Sequence, residues 1–139
     1  INSVIYGNGL WLAFGSSGNN TLAYSTTNGA TWVGLGVTIF SGDGRNGVYG
    51  NNIYVAVGAG TNTVAYSTNG TQWTGLGTTI FSTSGKDIKW NGNVWVAVGS
   101  GTNTLAYSSG SINNYIGLGS TIFTTSGCCS CKDFANSYL

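Results

Sequence analysis

Asp43, Asp87 and Asp133 are the only carboxylate side chains of this 139-residue chain, which has no Glu and no His. A two-carboxylate glycosidase would have to take both of its acids from these three. Asp43 and Asp87 follow two Ile-Phe-Ser runs at nearly corresponding points, one repeat apart. Such points on successive repeat units lie far from each other, so both are expected to be turn residues between units. Hydrolysis through a serine or cysteine needs a neighbouring base, and the chain has no His to supply it. Cys128, Cys129 and Cys131 crowd into one tail. They lack the two-pair spacing of a structural metal site, and adjacent cysteines bridge each other poorly. An odd count leaves a thiol free or paired with another chain, so no metal and no cofactor is expected. GAGTNT (58–63) joins two strand-like runs and reads as a turn, not as a phosphate-cradling loop.

Ionic chemistry is scarce throughout. The cations are Arg45, Lys86, Lys89 and Lys132, charged residues make up 5% of the chain, and the net charge is +1. Typical soluble chains carry about 25% charged residues. No basic face exists to neutralise a row of phosphates, so nucleic acid is not an expected partner. Hydrophobic residues at 41% and aromatics at 13% supply a core. Solubility falls to Ser, Thr, Asn and Gly, a surface common on extracellular and virion proteins, and that is the expected location. No apolar run reaches the roughly 18 residues of a membrane span. No signal-peptide pattern opens the chain. The missing initiator Met suggests a piece of a longer product.

The residue types left for recognition are amides, hydroxyls and aromatics. Asn20, Asn62 and Asn103 close three similar Gly- and Asn-containing turns at 17–20, 60–62 and 101–103, and Trp32, Trp73 and Tyr115 recur downstream. Rings that stack on sugar faces, beside amides that bond hydroxyls, would suit a glycan. These six are the candidate ligand-binding residues. The competing reading is structural: the asparagines close turns and the aromatics pack in the core.

The elements that would position them emerge from a repeat. Tyr24, Tyr66 and Tyr107, then Trp32, Trp73 and Tyr115, then Phe40, Phe81 and Phe123 recur at 41 or 42 residues, and Gly-Leu-Gly falls at 34–36, 75–77 and 117–119. A period of that length marks stacked or circularly arranged units. In the middle unit, strand-prone runs occupy 47–50, 52–58, 62–68 and 71–77, separated by Asn- and Gly-rich turns. No segment has helical periodicity. In VWVAVG (94–99) both alternating faces are apolar, which implies burial on both sides. Ala23, Ala65 and Ala106 give each following strand a small residue that lets units approach. The expected fold is all-β: β-propeller blades, as three four-stranded antiparallel repeats of about 41 residues. The repeats fall at about 1–44, 45–85 and 86–127, and 128–139 forms a Cys-containing tail or a degenerate start of a fourth. A β-helix would lack the tight hairpins, and a sandwich would not need the same aromatics at the same spacing.

STTNGATW (25–32) resembles the Asp-box of bacterial neuraminidase-type repeats, S-x-D-x-G-x-T-W. Ser25, Gly29, Thr31 and Trp32 match, with Thr27 at the Asp position. STNGTQW (67–73) is one residue shorter and brings Asn69 near that position. SSGSINNY (108–115) keeps a Ser and an aromatic. The longer phrase around WVAVGSGTNTLAYSS is similar to tandem-repeat propeller proteins of large DNA viruses and some bacteria. The resemblance implies a structural hairpin with its Trp in the core. It does not imply sialidase activity, because that chemistry needs an arginine cluster and a Tyr–Glu pair, and this chain has one Arg and no Glu. Asn19 and Asn69 head Asn-x-Thr sequons, both in expected turns.

Together these features lead to the expectation of a non-enzymatic propeller that binds glycans or a partner protein on a virion or cell exterior. The alternatives are a purely structural assembly subunit, or the scaffold part of a larger glycan-active enzyme. Three blades leave two raw apolar faces, so self-association or further repeats are expected to close the ring.

Overall fold

The computed structural model describes residues 1–16, 18–109 and 111–126. These residues are all-β, with twelve strands in three groups of four. The first unit holds β1 (Ser3–Gly7), β2 (Leu10–Phe14), β3 (Leu22–Ser25) and β4 (Val33–Gly34). The second holds β5 (Asp43–Gly50), β6 (Ile53–Ala59), β7 (Val64–Ser67) and β8 (Thr74–Gly75). The third holds β9 (Ser84–Trp90), β10 (Val94–Ser100), β11 (Leu105–Ser109) and β12 (Ile116–Gly117). Within each unit every strand pairs antiparallel with the next. The four runs read from the middle unit coincide with β5 to β8 to within a few residues.

The hairpins arise from local chemistry. β1 turns into β2 through Asn8 and Gly9, and β5 into β6 through Asn51 and Asn52, all four at positive φ. Two successive left-handed residues twist a two-residue turn in the sense its strands require. One bridge near the end of each unit's second strand ties that strand to chain beyond the unit: Ser16 to Asp43, Ala59 to Ser84, and Ser100 to Ser126. The Ala59–Ser84 pairing merges the second and third units into one eight-stranded sheet that curls as a half-barrel.

Units stack face on face, by the same contact twice. Leu10, Leu12, Phe14, Leu22 and Phe40 of the first unit pack on Tyr54, Ala56 and Ala65 of the second. Val55, Val57, Val64 and Phe81 of the second pack on Trp95, Ala97 and Ala106 of the third. Alternation of side chains across each strand divides them into these two faces. Small alanines on the receiving face let the sheets come close. In the middle unit Tyr54 to Gly58 are buried without interruption, on both sides. The expectation that the valines of 94–99 share this fate fails for a positional reason: no unit among the described residues covers their face, and Val96 is 41% exposed. The opposite outer face, on the first unit, exposes Val4 and Tyr6.

Candidate functional site

The three asparagines act first as clamps. The Oδ1 atoms of Asn20, Asn62 and Asn103 accept the backbone N–H of Gly36, Gly77 and Gly119, each at 2.8 Å. Those glycines have φ of +75°, +72° and +70°, a conformation that favours Gly over every other residue. Their carbonyls in turn accept from the N–H of Thr21, Thr63 and Thr104 at 2.9–3.0 Å. The first glycine of each Gly-Leu-Gly triplet makes room for the amide itself, because a Cβ on Gly34, Gly75 or Gly117 would collide with it. The triplet thus recurs because each clamp needs one glycine for space and one for conformation.

Two of the clamps also reach backward. Asn62 Nδ2 donates to the carbonyl of Ile39 in the first unit at 2.7 Å, and Asn103 Nδ2 to that of Ile80 in the second at 2.6 Å. Among the described residues Asn20 makes the forward bond alone.

The aromatics sit in hairpins built around a buried serine. Ser25 Oγ accepts from the N–H of Thr27 and Gly29, and Ser67 Oγ from Asn69 and Gly70. Thr27 Oγ1 accepts from the N–H of Thr31 at 2.8 Å, and Asn69 Oδ1 from those of Thr71 and Gln72 at 3.0 and 2.8 Å. Each indole closes its loop: Trp32 Nε1 donates to Gly29 and Trp73 Nε1 to Gly70. Trp73 packs on the core of the first interface. Tyr115 is buried in the second, and its hydroxyl has no hydrogen-bond partner among the described residues. Burial pushes that phenol's pKa up. Asn62, Asn103, Trp73 and Tyr115 are therefore engaged inside the stack. Asn20 and Trp32 instead flank an open groove of about 460 Å³ on the outer face of the first unit, floored by Val4, Ala13, Gly15 and Ala23.

A second cluster was not singled out from the sequence. Arg45 and Lys86 each occupy the position where the pairing of β5 and β9 with the neighbouring strand shifts register. An extra residue of this kind re-aims its side chain. Arg45 donates to Asp43 at 3.3 Å and to Ser84 Oγ at 3.1 Å. A line of polar groups crosses the three first strands: Ser3 Oγ donates to Asn46 Oδ1 at 2.6 Å, and Asn46 Nδ2 donates to Asp87. Lys89 pairs with Asp87 at 3.2 Å. Asp43 and Asp87 are thus strand residues in ion pairs, which corrects their reading as turn residues between units. They are also not counterparts. Asp43 aligns with Ser84, each bridged to the preceding unit, while Asp87 aligns with Asn46. The recurrence of Ser3, Asn46 and Asp87 at 43 and 41 residues was the available signal. Their differing side chains concealed it.

All five ionic residues that are described lie on β5 and β9. Cys128, Cys129, Cys131, Lys132 and Asp133, with the rest of the expected tail, lie outside the described residues. Among the described residues no helix is long and apolar enough to cross a membrane. A scan against protein-family models matches none, and a search of curated proteins returns no match.

Proposed function

We propose that the three units are β-propeller blades and that the chain is a non-enzymatic binding module of a virion or cell exterior, with the polar line on β1, β5 and β9 as its ligand face. The observation that carries this is the concentration of charge. In a chain with 5% charged residues, the described ions gather on two adjacent strands, beside Ser3, Asn46 and Ser84. Hydroxyl, amide and guanidinium groups held by mutual hydrogen bonds suit a polyhydroxyl ligand such as a glycan. The hairpin geometry supports the blade assignment. Thr27 and Asn69 accept backbone N–H groups from the Asp position of the Asp-box pattern, and the indoles close the loop.

A second reading, a purely structural assembly subunit, is favoured by the use of Asn62, Asn103, Trp73 and Tyr115 inside the stack. A printed glycan array separates the two. The binding reading expects retention of a sugar class by the full chain and its loss in an Arg45→Ala, Lys86→Ala double variant. No retention on any glycan would favour the structural reading, and retention unchanged in that variant would remove the polar line as the ligand face.

A further inference from the structure

The two interfaces inside the chain share a set of fittings, and a third set is present but unassembled. At the first interface the ring of Phe40 lies where a Cβ on Gly58 would be, and at the second Phe81 lies against Gly99. Both rings are fully buried. The corresponding ring of the third unit, Phe123, is 46% exposed. Among the described residues, the corresponding glycine of the first unit, Gly15, has only the Asn20 carbonyl within 4 Å of its Cβ position.

The neighbouring fittings repeat the pattern. Ile39 and Ile80 offer carbonyls to Asn62 and Asn103, while Ile122 is 66% exposed and Asn20 Nδ2 makes no such bond. Ser41 and Ser82 accept the N–H of Thr61 and Thr102, each at 2.9 Å, and crowd Gly60 and Gly101. Their counterparts are Thr124, which is exposed, and Gly18, which has open space at its Cβ position.

We infer that the groove on the first unit receives residues 117–124 of a second copy of this chain, with Phe123 over Gly15 and the Ile122 carbonyl on Asn20 Nδ2. The occupant is argued from continuity with the two interfaces already made: the groove and the free segment are the acceptor and donor halves of one contact, and one chain carries an unused copy of each. A contact between unlike patches that closes on itself makes a ring. Two copies make one of six units. Two features depart from the pattern: Asn20 follows Gly15 by five residues, where Asn62 and Asn103 follow Gly58 and Gly99 by four, and one packing position differs. Gly7 and Gly50 leave room for Tyr49 and Trp90, whereas Asn91 stands at the matching place in the third unit. Tyr6 of the second copy therefore sits less deeply there than Tyr49 and Trp90 do. This inference rests on the blade reading of the units but not on any ligand of the inner strands, so an empty glycan array leaves it untouched.

The test is the native mass of the full chain at tens of micromolar, by sedimentation and native mass spectrometry, with Phe123→Ala and Gly15→Leu variants. Phe123 is exposed and Gly15 faces open space, so both variants should keep the wild-type circular dichroism. The wild type should run at twice the 14.3 kDa chain mass and each variant at the single mass. An equimolar mixture of the two should recover two-chain particles, because the Phe123 of one variant meets the Gly15 of the other. A monomeric wild type would overturn the inference and assign the groove to another occupant. So would an assembly that neither substitution disturbs, which would place the contact elsewhere.

Discussion

β6 and β10 have nearly the same sequence pattern, IYVAVGA and VWVAVGS, and different surroundings. Val55 is fully buried under the third unit, while Val96, at the matching position, is 41% exposed. Nothing in either strand accounts for this. Burial is set by whether a neighbour covers the face. In the inferred assembly of two copies the exposed valine lies at the contact between them. The same contrast separates Phe81 from Phe123 and Asn62 from Asn20.

The largest test of that contrast is the phenylalanine pair. Phe81→Ala empties a fully buried site and should cost about 3–5 kcal/mol in chemical denaturation. Phe123→Ala, measured on dilute single chains, should stay within about 0.5 kcal/mol of wild type. Comparable losses would mean that Phe123 is already covered. Next come the asparagines. Asn62→Ala strands the Gly77 N–H and the Ile39 carbonyl and should cost about 1–3 kcal/mol. Asn20→Ala removes only the bond from Gly36 and should cost less. Equal costs for the two would contradict the backward reach of Asn62 as a tie between units.

Alkaline pH probes the same interfaces more gently. Tyr54 donates to the Gly7 carbonyl across the first one, and burial raises its pKa, with Tyr49 and Tyr6 adding to the rise. A phenol whose folded pKa is raised holds its proton longer when folded. Its stabilising contribution is full below the unfolded value of about 10 and is lost as pH climbs above it. Denaturation midpoints should fall above that pH, and Tyr54→Phe should flatten the fall. An unchanged slope would remove Tyr54 from the explanation. The smallest effect is a gain. Tyr115→Phe deletes a buried hydroxyl without a partner and should raise stability by about 1 kcal/mol, read as a higher thermal midpoint.

Much of the fold was legible because its signals are local. Alternating Val, Tyr and Trp between Asn- and Gly-rich turns located β5 to β8, and the even spacing of Gly-Leu-Gly follows the three backbone clamps made by Asn20, Asn62 and Asn103. The part that was hidden depends on contacts about 40 residues apart. Asn20, Asn62 and Asn103 look alike in sequence, and only the stack distinguishes two bonded amides from a half-used one. Gly15, Gly58 and Gly99 likewise read as one repeated residue, although two are filled and one is open. Arg45 and Lys86 were counted as rare charges, but their placement depends on a register shift that no local pattern announces. The reading of Asp43 and Asp87 as turn residues failed for the same reason: the long first strands β5 and β9 extend into what composition marks as a linker.

Amide hydrogen exchange of 117–123, followed from dilute to concentrated protein, reads directly whether a second copy covers this segment. In the equivalent stretches 34–40 and 75–81 the rings of Phe40 and Phe81 are already buried within the chain, so both should exchange at a rate independent of concentration. Residues 117–123 should exchange faster than both when dilute and approach their protection when concentrated, together with Asn20, Thr21, Leu22 and Ala23 of the groove. Exchange of 117–123 that stays fast at every concentration would contradict cover by a second copy.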